Sequence, residues 1–209
     1  MIATLKTTNR KTGPMVQTWI LRTDRSPLDA IRSGADSAIC GDCPHRGSGD
    51  SPRTCYVDVA KAPLSIYRAF HRGRYPRLPS IHWPATFGDR LVRLGAYGDP
   101  AAVPTDVLRA LTRVSKGWTG YTHQWRSRPS LRHLCMASVD SEAERDEAHR
   151  KGWRTFRVAP IGEKLVTDAE VPCPSDRVSC SACRLCRGAS TTARSIAITA
   201  HGINGSKVR

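Results

Sequence analysis

The chain has 209 residues and a formal net charge of +15, from 33 Lys and Arg against 18 Asp and Glu. A hydrophobic fraction of 39% and a charged fraction of 24% fit a soluble globular protein that can bury a core as one domain or one domain plus a small module. No run of about 18 apolar residues occurs, which excludes a membrane-spanning helix, and the basic N-terminus lacks the continuous apolar stretch of a secretory leader. A cytoplasmic chain is therefore expected, and there clustered cysteines read as metal ligands rather than disulfides. The arginine-rich excess of positive charge makes DNA or RNA the simplest polyanionic partner.

In chain order, residues 15–21 predict a short strand, Ser26-Pro27 a turn and residues 28–33 a single helical turn. A loop rich in Gly, Ser and Pro follows over residues 40–55. Residues 63–72 predict a helix, opened by Pro63, with Leu64, Tyr67 and Phe70 on one face and Gly73 at its end. Residues 89–97 predict a strand ending at Gly98-Asp99-Pro100. A helix opening at 104–106 carries Val107, Leu108, Leu111 and Val114 and closes at Lys116-Gly117. Residues 118–125 and 134–139 predict two more strands. Asp140 or Ser141 caps an acidic helix over 142–151, Gly152 stops it, and residues 153–159 return as a strand. Strands alternating with helices predict βαβ units: an α/β fold, either a partial (β/α) barrel or a small parallel sheet, with two cysteine-rich metal-binding loops. Residues 1–187 read as one α/β domain that includes the cysteine loop 40–55 and a cysteine module at 173–187. Residues 188–209 read as a terminal strand, 195–200, and a frayed tail.

Seven of the eight cysteines form two groups. Cys40 and Cys43 make a Cys-x-x-Cys pair, followed by Cys55. Cys173 precedes Cys180, Cys183 and Cys186. A Cys-x-x-Cys turn lets two thiolates reach one metal, and thiolates select zinc or iron–sulfur clusters. Four thiolates complete a ligand set and suit a structural centre. Three leave a position open for chemistry, unless His45 or His71 supplies a fourth zinc ligand. Cys135, inside an apolar strand, reads as a small buried hydrophobe.

Other candidates lie at strand ends, where parallel α/β folds place their sites. Gly98 lets backbone approach a ligand and Asp99 can accept from an amine or hydroxyl, although an ordinary capped turn explains both. Tyr121 and His123 share one face of their strand and could stack on or bond to a nucleobase or cofactor, or simply pack in a core. Asp140 is a candidate acid or base, or only a helix cap. Arginines cluster at Arg68, Arg72, Arg74 and Arg77, at Arg126, Arg128 and Arg132, and at Arg177, Arg184, Arg187 and Arg194. They could grip phosphates or offset the charge of a thiolate centre.

A cysteine-rich loop followed by a strand that ends in Gly98-Asp99-Pro100 resembles the radical S-adenosylmethionine enzymes, although Cys40, Cys43 and Cys55 are spaced more widely than is usual there. The resemblance implies a full or partial (β/α) barrel. It implies a four-iron cluster on Cys40, Cys43 and Cys55 whose open iron chelates S-adenosylmethionine, and a cofactor amine bound by the Gly98-Asp99 turn. The reaction implied is reductive cleavage of the sulfonium bond followed by hydrogen abstraction. Cys55-Tyr56, Gly98-Asp99, the run from Tyr121 to Trp125 and the cysteines from Cys180 to Cys186 also resemble uncharacterised phage and plasmid proteins with these features. Two other readings stand beside it. One is a non-enzymatic zinc protein that binds DNA or RNA. The other is a zinc-stabilised, transglycosylase-like enzyme with Asp99 or Asp140 as nucleophile or base.

Overall fold

The computed structural model describes residues 1–47, 51–163, 165 and 168–201. Part of the first cysteine loop (48–50) and the tail expected at 202–209 lie outside the described residues. No helix among the described residues is long and apolar enough to cross a membrane.

The chain forms an α/β structure on one eight-stranded sheet. The strands are β1 (Ile2–Thr4), β2 (Val16–Trp19), β3 (Leu91–Tyr97), β4 (Gly117–Thr122), β5 (Met136–Val139), β6 (Thr155–Ala159), β7 (Glu170–Pro172) and β8 (Ser195–Thr199). Their order is β1-β2-β3-β4-β5-β6-β8-β7. Among the described residues only β1 pairs antiparallel, against β2; every other pairing is parallel. The terminal strand β8, set apart in the sequence reading, lies inside the sheet between β6 and β7. From β2 to β6 the strands follow chain order, so each βα unit adds its strand beside the last.

The helices are α1 (Pro27–Arg32), α2 (Ser37–Cys40), α3 (Ala62–His71), α4 (Trp83–Phe87), α5 (Thr105–Val114), α6 (Glu142–Arg150) and α7 (Cys180–Cys183). In α5, Leu108 and Leu111 fall on one stripe and are each 1% exposed. They meet Val92 and Leu94 of β3, and Ala137 and Val139 of β5, in the main core, where Ala148 of α6 joins them. Burying a leucine this fully stabilises by about 1.5–3 kcal/mol. The alternate residues of the same strands face the other way. Met136 of β5 and Ile196 of β8 form a second core there with Cys186, flanked by Tyr121, Phe156, Cys173 and Leu185. The helices α5 and α6 thus cover one face of the sheet, and the C-terminal cysteine module covers the other.

The expected strand over 118–125 ends earlier, at Thr122. Trp125 is 2% exposed in the turn beyond it, with the Arg126 guanidinium 4.0 Å from its ring. Gly120 allows β4 to press on the next segment: a Cβ there would lie 2.9 Å from Cys135 Sγ. Cys135 itself is fully buried in the main core.

Candidate metal centre

Because β2 to β5 run parallel and side by side, the segments that follow them gather along one edge. After β3 the chain turns at Gly98 with φ of +78°, and a Cβ there would lie 2.7 Å from Ile20 at the end of β2. Glycine alone suits that left-handed backbone and close approach. The next residue, Asp99, donates its backbone N–H to Ile39 O at 2.7 Å. The Gly98-Asp99-Pro100 turn and the first cysteine loop, remote in sequence, are thus hydrogen-bonded neighbours.

The Asp99 side chain is 8% exposed and points inward. Its Oδ1 accepts from Thr122 Oγ1 at 2.7 Å and Ala101 N at 2.9 Å, and its Oδ2 accepts from His123 N at 2.9 Å. Burial raises its carboxyl above the usual range, against those three hydrogen bonds. Asp99 therefore ties the end of β3 to the end of β4 and orients His123.

The cysteine loop is built on Asp36, which is 1% exposed. Arg46 Nη2 donates to Asp36 Oδ1 at 2.8 Å, and Arg53 Nη1 lies 3.5 Å from Oδ2. Cys40 closes α2, and Gly41 turns with φ of +57° against Gln124, whose Nε2 donates to Cys40 O at 3.3 Å. His45 O accepts the backbone N–H groups of both Thr54 and Cys55, which folds Cys55 back towards the pair. Burial pushes the thiols of Cys40 and Cys43 up to about 12. Metal loading there must displace two protons at neutral pH.

Three further groups converge beside Cys43. His123 Nδ1 lies 3.4 Å from Cys43 Sγ. His45 Nε2 lies 2.9 Å from Asp140 Oδ1, and His123 Nε2 lies 3.7 Å from Asp140 Oδ2. Burial lowers the His123 pKa, opposed by the Asp140 charge. At Asp140 burial acts upward, yet the His45 hydrogen bond and the two histidine charges carry its carboxyl below the usual range. Asp140 precedes α6; Ser141, not Asp140, caps that helix by accepting from Glu144 N at 3.2 Å.

The second cysteine group has its own place. Cys173, Cys180, Cys183 and Cys186 line one cavity with Thr119 and Tyr121 of β4. Arg154 fixes its walls by donating to the carbonyls of Leu185, Gly188, Ala193 and Arg194. Burial pushes Cys186 up to about 12. Arg184, between Cys183 and Cys186, is the one non-glycine residue with positive φ, at 56°, among the described residues. Tyr121 and His123, paired in the sequence reading, part here: Tyr121 faces this cavity, His123 the first loop. Arg93 of β3 spans the gap, donating to Tyr56 OH at 2.6 Å and lying 5.9 Å from the Tyr121 ring.

Among the described residues, only His45, His123 and Asp140 form a group of three or more His, Cys, Asp or Glu with ligand atoms all within 4.8 Å of one another. A tetrahedral zinc with Zn–S bonds of about 2.3 Å would hold its sulfurs about 3.8 Å apart. In neither cysteine group do three or more sulfurs lie within 4.8 Å of one another. His71, the other possible zinc ligand, is exposed on α3 against Tyr67. Sequence spacing offers His45 only as a zinc ligand of the cysteine loop and does not join it to His123 and Asp140, which lie 78 and 95 positions away. No local pattern signals such a meeting.

No protein-family model matches the chain, and no curated protein and no solved structure matches it.

Proposed function

We propose that this chain is a radical-S-adenosylmethionine-like iron–sulfur protein that acts on or near nucleic acid. The observation that carries the reading is the backbone hydrogen bond between Asp99 and Ile39. It brings a three-cysteine loop and a Gly-acid-Pro turn together at the carboxyl ends of two neighbouring parallel strands. Ligand sites of parallel sheets lie at those ends. Strands in chain order, with α5 and α6 on one face, are also the winding of a (β/α) barrel, and we read the sheet as part of one.

Cys40, Cys43 and Cys55 would hold the open four-iron cluster. Three thiolates would leave one iron of such a cluster without a protein ligand. When bound, such a cluster supplies the electron that cleaves the sulfonium bond of S-adenosylmethionine. Gly98 lets the turn press on Ile20, while Asp99 holds the turn and His123 in place beside the cysteine loop. Cys173, Cys180, Cys183 and Cys186 would hold a second centre, with Tyr121 on its wall. Arg68, Arg72, Arg74 and Arg77 are all exposed and none pairs with an acid among the described residues, so they remain available to phosphates. By contrast, Arg126 pairs with Glu144 and Glu147, and Arg177 with Asp176.

The test is reduction of the anaerobically reconstituted protein with S-adenosylmethionine. Release of methionine and 5′-deoxyadenosine, abolished in Cys40→Ala and retained in a variant of exposed Asp106→Asn, is expected. A fully loaded protein that leaves S-adenosylmethionine intact would overturn the reading.

A further inference from the structure

We propose that His45, His123 and Asp140 bind one divalent transition-metal ion, at a site distinct from both cysteine groups. Each ligand comes from a different and well-anchored element. His45 sits on a single 3-10 turn (Pro44–Arg46), His123 follows β4 and Asp140 follows β5. Both Nε2 atoms face one carboxylate, at 2.9 Å and 3.7 Å. Metal–ligand bonds of about 2.1 Å place neighbouring ligand atoms about 3.0 Å apart at a right angle and about 3.4 Å apart at the tetrahedral angle. The observed separations bracket those values.

The outer ring nitrogens are already engaged. His45 Nδ1 lies 2.7 Å from Thr54 Oγ1, and His123 Nδ1 lies 3.4 Å from Cys43 Sγ. On metal binding, Thr54 Oγ1 and Cys43 Sγ can hold the Nδ1 protons, and the ion takes the place of the proton between His45 Nε2 and Asp140. Most telling is His123 Nε2, which is buried and has no hydrogen-bond partner among the described residues. Leaving such a nitrogen unsatisfied costs about 1–3 kcal/mol, and an ion between it and Asp140 would remove that cost.

Two imidazoles and one carboxylate favour iron, cobalt or zinc over magnesium or calcium and leave coordination positions open. Those positions would take water or a substrate oxygen beside the first cysteine loop. None of the three ligands is a cysteine, so the site stands whether or not the loop carries a cluster.

Cobalt(II) is a suitable probe. The whole protein, with its cysteine-bound metal in place, is freed of loosely held ions with chelator, titrated anaerobically and desalted. One added equivalent of cobalt is expected, with two paramagnetically shifted, exchangeable imidazole N–H proton signals. Asp140→Asn and His123→Gln should each lose both readouts, while exposed Asp146→Asn keeps them. Thr54→Val, which only frees His45 Nδ1, should weaken binding about 10–100-fold. Cys40→Ala should lose its iron but keep the cobalt, which separates this site from the cluster reading. No added equivalent, or an equivalent that survives both Asp140→Asn and His123→Gln, would overturn the proposal. So would cobalt lost with Cys40→Ala but kept in Asp140→Asn.

Discussion

Asp99 shows how one side chain can serve a site without reaching into it. Three donors, Thr122 Oγ1 and the N–H groups of Ala101 and His123, converge on its carboxylate. Asp99→Ala would leave them buried and unpaired at about 1–3 kcal/mol each, so urea unfolding should show a loss of several kcal/mol. Asp99→Asn keeps an acceptor and should lose much less. Equal stability of Asp99→Ala and the parent would mean the carboxylate is not the tie described here. Gly98 has the complementary part. Gly98→Ala puts a Cβ 2.7 Å from Ile20 at φ of +78° and should destabilise by about 1–3 kcal/mol in the same assay. The motif Gly98-Asp99-Pro100 was legible in the sequence because glycine and an acid at a strand end are local signals. The direction of the Asp99 carboxylate was not, because its partners Thr122 and His123 lie at and just beyond the end of another strand.

The elements carry the site by holding their ends still. In α5, Leu108→Ala should cost about 2–5 kcal/mol, because its side chain is 1% exposed in the main core. Calorimetry that placed it near zero would contradict the packing described. Helix α6 is fastened to the loop after β4 by Arg126, which bonds Glu144 and Glu147, while Lys151 holds Glu147 at 2.7 Å. Glu144 Oε2 in turn accepts from Asp140 N at 2.9 Å. The hydrogen bonds from Arg126 and then Lys151 hold the Glu147 carboxyl down to about 2, from 4.5. A depressed carboxyl stabilises the fold above its ordinary value and loses that contribution as pH falls through the folded one. Carbon-detected titration should therefore place the Glu147 midpoint near 2, and Arg126→Ala should return it towards 4.5. A midpoint already near 4.5 in the parent protein would show that the clamp does not form.

At the same scale, α3, α5, α6 and the strands from β3 to β6 were readable from apolar period and glycine punctuation. The helix α4 and the strands β1 and β7 were not. Each of those strands has only three residues, too few to show a period, and β7 buries Glu170 against Arg157 where a strand core is expected to be apolar.

For the molecule as a whole, chain-ordered parallel strands bring the first cysteine loop, the Gly98 turn, His123 and Asp140 to one edge. The C-terminal cysteine module packs across the face opposite α5 and α6. That convergence joins residues up to 95 positions apart, as between His45 and Asp140, so composition and spacing could suggest the parts but not their meeting. The net charge of +15 belongs to this scale too. Binding to single- or double-stranded DNA or RNA should weaken steeply with salt. Replacing Arg72 and Arg74 together by alanine should reduce the slope of log K against log salt by about one for each phosphate no longer gripped. Binding that ignores salt would remove nucleic acid from the account.

The most direct measurement is iron, zinc and acid-labile sulfide content of protein purified without oxygen, for the parent and for Cys40→Ala and Cys180→Ala. About four irons and about four sulfides should be lost with Cys40→Ala, the content of one cubane cluster. Zinc alone, with no sulfide in any sample, would contradict the cluster reading.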